Sequence, residues 1–319
     1  MRVISVTPAG RRRYLQALVP HLLRQQHVID EHHWWLNTHD EADAQYVTQL
    51  AAEHPHFFKV IRKDYDPTLT IGEGIWRFFR HAAEPDTVYV RLDDDIVWFA
   101  PDAIHNLVRF RLENREPFIV SGNVVNNGVC AHALQKAGFI PQSFGEVQNF
   151  CLDGNGWACP RFARKLHELF LSELAAGRID RWKETKISLY GTRRFSINVI
   201  SWFGDDMRQV PEVLRGGADE EIFLTVTLPQ RLRRPNVACG DALFTHFAFF
   251  SQRPYLEWTW PELIEHYQQI AEGRPAELGF SEKALLLLRH STWKSGKHVR
   301  KFRERMRKRR EQRERRLAA

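Results

Sequence analysis

The chain has 319 residues, 43% hydrophobic and 12% aromatic, enough to bury a large core as one big domain or two modest ones. Its formal charge of +7 is unevenly placed: residues 289–319 carry 14 Lys or Arg against 3 Glu, leaving 32 bases and 36 acids in the rest. A mildly acidic body excludes whole-domain electrostatic capture of nucleic acid, and no run of 18 apolar residues is present to span a membrane.

The N-terminal MRVISVTPAGRRR has an apolar run followed by Arg, the reverse order of a secretion signal. Cys130, Cys151, Cys159 and Cys239 have neither C-x-x-C nor zinc-finger spacing, which predicts the scattered reduced thiols of a cytoplasmic protein.

In chain order, RVISVTP (2–8) predicts a strand ended by Pro-Ala-Gly. Residues 11–26 predict a helix, with Tyr14, Leu15, Leu18 and Leu22 at helical spacing and Pro20 as a point of kinking. A strand follows at 32–38, then a helix over 40–54 whose first turn is acidic, as the helix dipole favours. Residues 57–62 predict a third strand, 75–83 a helix, and TVYVRLDDDIVWF (87–99) a fourth strand. Strands separated by helices predict parallel pairing in a right-handed α/β sheet, on which ligands sit at the strands' carboxyl ends.

The middle is less regular. PFIVSGNVVNNGVC (117–130) begins as a strand and ends in Asn/Gly turns, and 159–177 predict an amphipathic helix. A further strand is expected within 193–206, a helix with an acidic start over 218–232, and a late strand over 236–250. With no internal repeat and no polar linker before about residue 275, the expected organisation is one domain, 1–275, with a basic helical or disordered tail, 276–319.

The triplet Asp93, Asp94, Asp95 is the chemical anomaly. In a continuous strand, Asp93 and Asp95 share one face and Asp94 takes the other. Two such carboxylates about 6 Å apart repel by roughly 0.7 to 3 kcal/mol, and a hard divalent cation reverses that sign. D-x-D at a strand end is therefore a candidate metal–diphosphate site, a solvated acidic turn being the plain alternative. Asp219, Glu220 and Glu221 open a predicted helix, where acids also serve as ordinary first-turn residues. His246 lies on the late strand between Phe244, Phe247 and Phe249, a setting that suits a neutral imidazole, packed or metal-bound.

Taken in order, these residues resemble the GT-A glycosyltransferases, the Rossmann-like enzymes that use nucleotide sugars, over about residues 2–250. The resemblance implies an α/β Rossmann-like GT-A fold, with a mostly parallel central sheet flanked by helices. The loop ISVTPAGRRR, with Pro8, Gly10 and Arg11, would meet the nucleotide. Arg77, sixteen residues before Asp93, stands where the family often has an A-R-N helix start, although Trp76 and Phe78 replace the flanking Ala and Asn. The family's D-x-D maps onto Asp93, Asp94 and Asp95, with Asp93 and Asp94 toward the nucleotide. Its metal set maps onto Asp93, Asp95 and His246. Its acidic helix start maps onto Asp219, Glu220 and Glu221, with Glu220 as first choice of base. The implied activity is metal-dependent sugar transfer, inverting, with Mn or Mg and a nucleotide sugar, UDP-sugar first, to a saccharide or lipid-linked hydroxyl in polysaccharide or envelope glycan synthesis.

Asn123, Asn126 and Asn127 offer amides for sugar hydroxyls, or turn residues. Trp157 in DGNGWAC could stack on a sugar or belong to the core, and Asp205 and Asp206 rival Glu220 as base. The basic tail suggests attraction to an anionic membrane face, which would hold a cytoplasmic enzyme peripherally; no specific nucleic acid is expected, since aromatic interleaving is sparse. A sugar-phosphate nucleotidyltransferase is the nearest alternative, disfavoured by the single Gly of TPAGRRR, and a non-catalytic protein acting through its tail is another.

Overall fold

The computed structural model describes residues 1–62, 71–189, 194–208, 219–274, 282, 284–290 and 292–293. The expected boundary near residue 275 and the basic tail from 294 onward lie outside them. β1 (Arg2–Ala9) leads through α1 (Arg12–Leu23) to β2 (Glu31–Leu36), then through α2 (Glu41–Glu53) to β3 (Phe58–Ile61). α1 buries Tyr14, Leu15, Leu18 and Leu22, the positions its periodicity singles out, and continues through Pro20. Asp40 caps α2 by accepting from the Asp43 N–H at 3.1 Å.

After α3 (Ile71–Phe78) comes β4 (Thr87–Leu92), then β5 (Ile96–Phe99), α4 (Ala103–Glu113), β6 (Val120–Val125), α5 (Gly128–Lys136), α6 (Pro160–Ala175), β7 (Val199–Phe203) and the short α7 (Gly204–Met207). A helical run then passes from α8 (Glu220–Ile222) through a π turn, Phe223–Thr227, to α9 (Leu228–Leu232). β8 (Val237–His246), α10 (Arg253–Thr259) and α11 (Leu263–Ala271) follow.

The eight strands form one mixed sheet in the order β3-β2-β1-β4-β7-β6-β8-β5. The expected α/β architecture with a helix-flanked central sheet is what forms. β3, β2, β1 and β4 are all parallel, as is the β6–β8 pair. β7 runs antiparallel to β4 and β6, and β5 antiparallel to β8. Four of the seven neighbouring pairs are thus parallel, fewer than the helix-and-strand alternation suggests. The parallel half has the strand order of a mononucleotide-binding unit, and its β1–β4 junction is the topological switch point where such sheets bind ligands.

The expected continuous strand 87–99 is broken. The Asp93 N–H bonds to the Asn198 carbonyl at 2.8 Å, and the Ile96 N–H closes a turn on the Asp93 carbonyl at 3.1 Å. β4 ends at Leu92 in the middle of the sheet, and β5 resumes at its far edge beside β8. The triplet is the turn that carries the chain across. Strand alternation therefore does not govern where its side chains point.

Both faces of the sheet are covered, and β4 divides its side chains between them. Val88, Val90 and Leu92 join the larger core with α1 and α4. Tyr89 joins the other, with Ile4, Val6, Phe79 and Trp202. Arg91 occupies the next position on that second, aromatic face and is only 3% exposed. No helix among the described residues is long and apolar enough to cross a membrane.

Candidate active site

Two cavities meet at the carboxyl ends of β1 and β4. The first, about 340 Å³, is lined by Pro8 and Gly10 from the end of β1, Asn37 after β2, Ile75 of α3, and Asp94. The second, about 290 Å³, is lined by Asp95, His246, Asn198, Glu220, Glu221, Phe249 and Phe250 among others. Arg11, Arg91, Asp93 and Arg253 line both, so three guanidinium groups and one carboxylate form the partition.

The three aspartates have different surroundings. Asp94 fixes the loop after β1: it accepts the Gly10 N–H at 3.1 Å and Arg11 Nε at 2.9 and 3.0 Å. A side chain on Gly10 would meet the Asn37 carbonyl oxygen at 3.0 Å, so the close approach of this loop to the end of β2 favours glycine. Asp95 receives Arg11 Nη1 at 3.0 Å and Arg253 Nη2 at 2.8 Å, and faces His246 Nε2 at 3.3 Å. Burial raises its pKa, but the charges of Arg11, His246 and Arg253 outweigh burial and hold it far below the usual carboxylate range. Asp93 is turned elsewhere, accepting from Arg91 at 2.9 Å and from Asn198 Nδ2 at 3.1 Å. Asp94 and Asp95 share Arg11, and Asp93 stands apart, which corrects the grouping expected from strand alternation.

His246 closes the sheet-edge side of the second cavity. Its Nδ1 lies 3.1 Å from the Asn126 carbonyl, which can only accept, so Nδ1 carries a proton. Nε2 then faces Asp95 Oδ2 with both groups 3% exposed. The same Oδ2 takes the Arg11 and Arg253 guanidinium contacts, so an ion held between it and His246 would take the place of at least one of them. A separation of 3.3 Å suits two ligands of one ion with bonds of about 2.1 Å at a near-right or tetrahedral angle. A histidine whose other nitrogen donates to a backbone carbonyl is the usual arrangement of a metal ligand. Among the described residues no three His, Cys, Asp or Glu side chains enclose one metal position. Two protein donors are what a magnesium- or manganese-type site needs when solvent and phosphate supply the rest, so these residues fit such an ion.

Asn126 was not legible as part of this arrangement. It adopts a left-handed backbone, φ +64°, which Asn tolerates better than most residues. Its amide anchors it by donating to the Phe247 carbonyl at 2.9 Å and Gln252 Oε1 at 3.0 Å. The expectation of amides free for sugar hydroxyls is overturned for all three asparagines, each at most 2% exposed. Asn123 donates to the carbonyls of Trp182 and Gly240, both at 3.1 Å. Asn127 caps α5 and donates to Asn198 Oδ1 at 2.9 Å. Asn198 in turn holds Asp93, so the turn chemistry of 123–127 serves the site from behind.

Across the second cavity, Glu220 opens α8 and is 16% exposed. Its Oε1 accepts from Arg91 Nη2 at 3.0 Å, and its Oε2 has no hydrogen-bond partner. Burial, countered by Arg91 and reinforced by Asp93, pushes its pKa up to about 7. Glu221 is committed to Arg194, at 2.7 Å from Nε, and receives the Cys151 thiol at 3.4 Å. Asp219 is the cap of α8, accepting the Ile222 N–H at 2.8 Å. Glu220 and Glu221 both line the cavity and both make their side-chain contacts through Oε1; what sets Glu220 apart is an Oε2 that is buried without a partner.

Other expected residues fall elsewhere. Arg77, half-buried in the last turn of α3, lines neither cavity, while Ile75 of the same helix does. Arg12 and Arg13 also lie off the site, the Arg12 N–H bonded to Asp43 and Arg13 paired with Glu257. Asp206 is held by Arg234, and Asp205 accepts the Asp86 N–H at 3.3 Å; neither lines these two cavities. Trp157 packs its ring edge on Phe250 at 5.1 Å and is not in the lining. All four cysteines are free thiols, as their spacing suggests.

No protein-family model matches the chain, and no curated protein does. Among solved structures, glucosyl-3-phosphoglycerate synthase from Mycobacterium tuberculosis, in complex with Mn2+, UDP and phosphoglyceric acid, is similar at 12% identity over 87% of this chain and 80% of that one, with a TM-score of 0.45. A CMP:2-keto-3-deoxy-manno-octonic acid synthetase complexed with CTP is similar at 10% identity over 86% and 100% of the two chains, with a TM-score of 0.44. A 4-diphosphocytidyl-2C-methyl-D-erythritol synthase from Anaerococcus prevotii aligns over 39% of this chain and 56% of its own, at 11% identity and a TM-score of 0.30. At these values the likenesses assign no chemistry to individual residues, and the site rests on its own geometry.

Proposed function

We propose that this chain is a metal-dependent glycosyltransferase of the GT-A type, moving a sugar from a nucleoside diphosphate to an acceptor hydroxyl with inversion. The observation that carries the reading is the buried Asp95–His246 pair, 3.3 Å apart in one cavity with a carboxylate, Glu220, whose Oε2 is buried without a partner. The nucleoside of the donor, a UDP-sugar first, occupies the cavity at the β1–β4 junction, against Pro8, Gly10 and Asn37. Its diphosphate lies at the partition, where Arg11, Arg91 and Arg253 offer bidentate guanidinium donors. Nε and Nη1 of Arg91 and Nε of Arg253 are buried without a partner, a cost that an anion in the partition relieves.

Asp95 and His246 would hold the Mn or Mg, with Asp93 toward the ribose or the ion's water; when bound, the ion supplies Lewis-acid stabilisation of the charge on the leaving diphosphate. Glu220 takes the proton of the acceptor hydroxyl, and Arg91 fixes the carboxylate through Oε1. The pKa of about 7 suits a base at neutral pH, and such a base contributes roughly 10²- to 10⁴-fold in rate. Phe249 and Phe250 line the acceptor's cavity, consistent with a saccharide or lipid-linked acceptor and a role in glycan synthesis at the cytoplasmic face of a membrane.

The test is thermal stabilisation of the chain by UDP, GDP, dTDP or CMP, each with manganese. A metal-dependent shift with at least one of them is expected. The absence of any shift removes the donor-site reading.

A further inference from the structure

Among the described residues, large apolar side chains are exposed at a few places, and one of them has no role in the site. Residues 284–290 and 292–293 are helical and dock on α10 and α11 through one face only. Leu286 is 2% exposed and joins the main core. Arg289 pairs with Glu262 at 2.7 Å, the His290 ring meets the Tyr255 hydroxyl at 2.6 Å, and the Trp293 ring packs on Tyr255 at 5.3 Å and Trp258 at 5.6 Å. At 100° per residue, Leu286, His290 and Trp293 fall on one stripe, with Arg289 at its border.

The opposite arc holds Ala284, Leu285, Leu287 and Leu288, all exposed; Leu287 is 63% and Leu288 61% accessible. A helix that docks by one face ordinarily turns polar groups outward, and one apolar all round is buried on all sides. This one has an outward arc that is apolar from Ala284 to Leu288, with Thr292 beyond it, and Trp258, 44% exposed, lies beside Trp293 at the edge of the docked stripe. The chain then continues directly into residues 294–319, which carry 13 Lys or Arg against 3 Glu. An apolar arc bearing Leu and Trp next to a strongly cationic stretch matches the two components of interfacial binding to anionic bilayers, insertion of apolar side chains and attraction to negative headgroups.

We propose that the outward face of segment 284–293, with Trp258, inserts into the headgroup region of an anionic bilayer, to which the basic residues 294–319 draw it. α10 connects this patch to the site: it starts at Arg253, which touches Asp95, and reaches Trp258 five residues on, about 7.5 Å along its axis. The patch therefore brings the cavity near the lipid surface.

The test is co-sedimentation of the full chain with phosphatidylcholine vesicles, with and without phosphatidylglycerol, at low and raised salt. The wild type is expected to bind the anionic vesicles and not pure phosphatidylcholine. Leu287→Glu/Leu288→Glu should lose at least tenfold in binding at raised salt, where the basic stretch is screened, with an unchanged melting temperature as the check on folding. Equal binding by this variant and the wild type overturns insertion by the helix. Failure of the wild type to bind anionic vesicles overturns the proposal altogether, as does a wild-type dimer that the variant converts to monomer, because a second copy then covers the face. The assay uses neither donor nor acceptor, so its failure leaves the transfer reading untouched.

Discussion

Replacing Glu220 by Gln separates the catalytic cost of this carboxylate from its structural cost, because the two have opposite signs. Gln keeps an oxygen to accept from Arg91 Nη2 and places an amide where Oε2 has no partner. In the folded chain Glu220 titrates at about 7 instead of 4.5, mainly through burial. A folded pKa above the unfolded one means that below pH 4.5 both states carry the proton and nothing is lost. As pH rises through 7, the folded state must give up a proton that the unfolded state has already released, and stability falls. At 1.36 kcal/mol per pH unit the loss reaches about 3 kcal/mol above pH 7. Gln avoids it but removes one of the two carboxylates beside Arg91, so the expected net gain at pH 8 is about 1 to 3 kcal/mol. For a chain of this size that is a melting temperature higher by roughly 2 °C per kcal/mol. Thermal unfolding of both proteins from pH 4.5 to 8 should show the curves coinciding at the acid end and diverging through pH 7, while transfer falls by about 10²- to 10⁴-fold. A variant less stable than wild type at pH 8, or one with wild-type turnover, refutes the assignment of Glu220 as a strained buried base.

Three further outcomes are expected. The wild-type rate should rise with pH through about 7 as Glu220 loses its proton, whereas the residual rate of Glu220→Gln stays flat over the same range. Asp95→Asn should abolish any manganese-dependent thermal shift with nucleotide, and an undiminished shift would remove Asp95 from the metal site. Asn126→Ala should cost about 2 to 4 kcal/mol, from the left-handed backbone and the two lost buried hydrogen bonds, and weaken metal binding by about 10- to 100-fold through His246. Asn126→Gly should recover the backbone part in urea unfolding.

The alternation of strand and helix through residue 61 was readable because each element has its own periodicity, as in the α1 stripe of Tyr14, Leu15, Leu18 and Leu22. The pairing of β7, β6 and β8 was not, because it depends on contacts between residues far apart in sequence. The triplet stands out by charge, but its geometry does not show in the sequence: Val88 to Phe99 has the composition of one strand, and only the Asp93–Ile96 turn and the pairing of β5 with β8 reveal two. Arg91 was hidden for a similar reason, as a single cation inside an apolar run. Arg253 and Asn198 belong to no spacing pattern; Arg253 reaches the site as the first residue of α10 and Asn198 from just before β7. The position of Asn126 beside the Asn127 cap made it look like ordinary turn chemistry, and the sequence carries no sign that its carbonyl orients His246.

The most direct measurement is hydrolysis of a panel of nucleotide sugars, with and without manganese and with no acceptor present. The proposed function predicts that at least one, a UDP-sugar first, is slowly hydrolysed only when metal is added, and that Asp95→Asn abolishes this turnover. Hydrolysis of none of the panel, or metal-independent hydrolysis that survives Asp95→Asn, would contradict it.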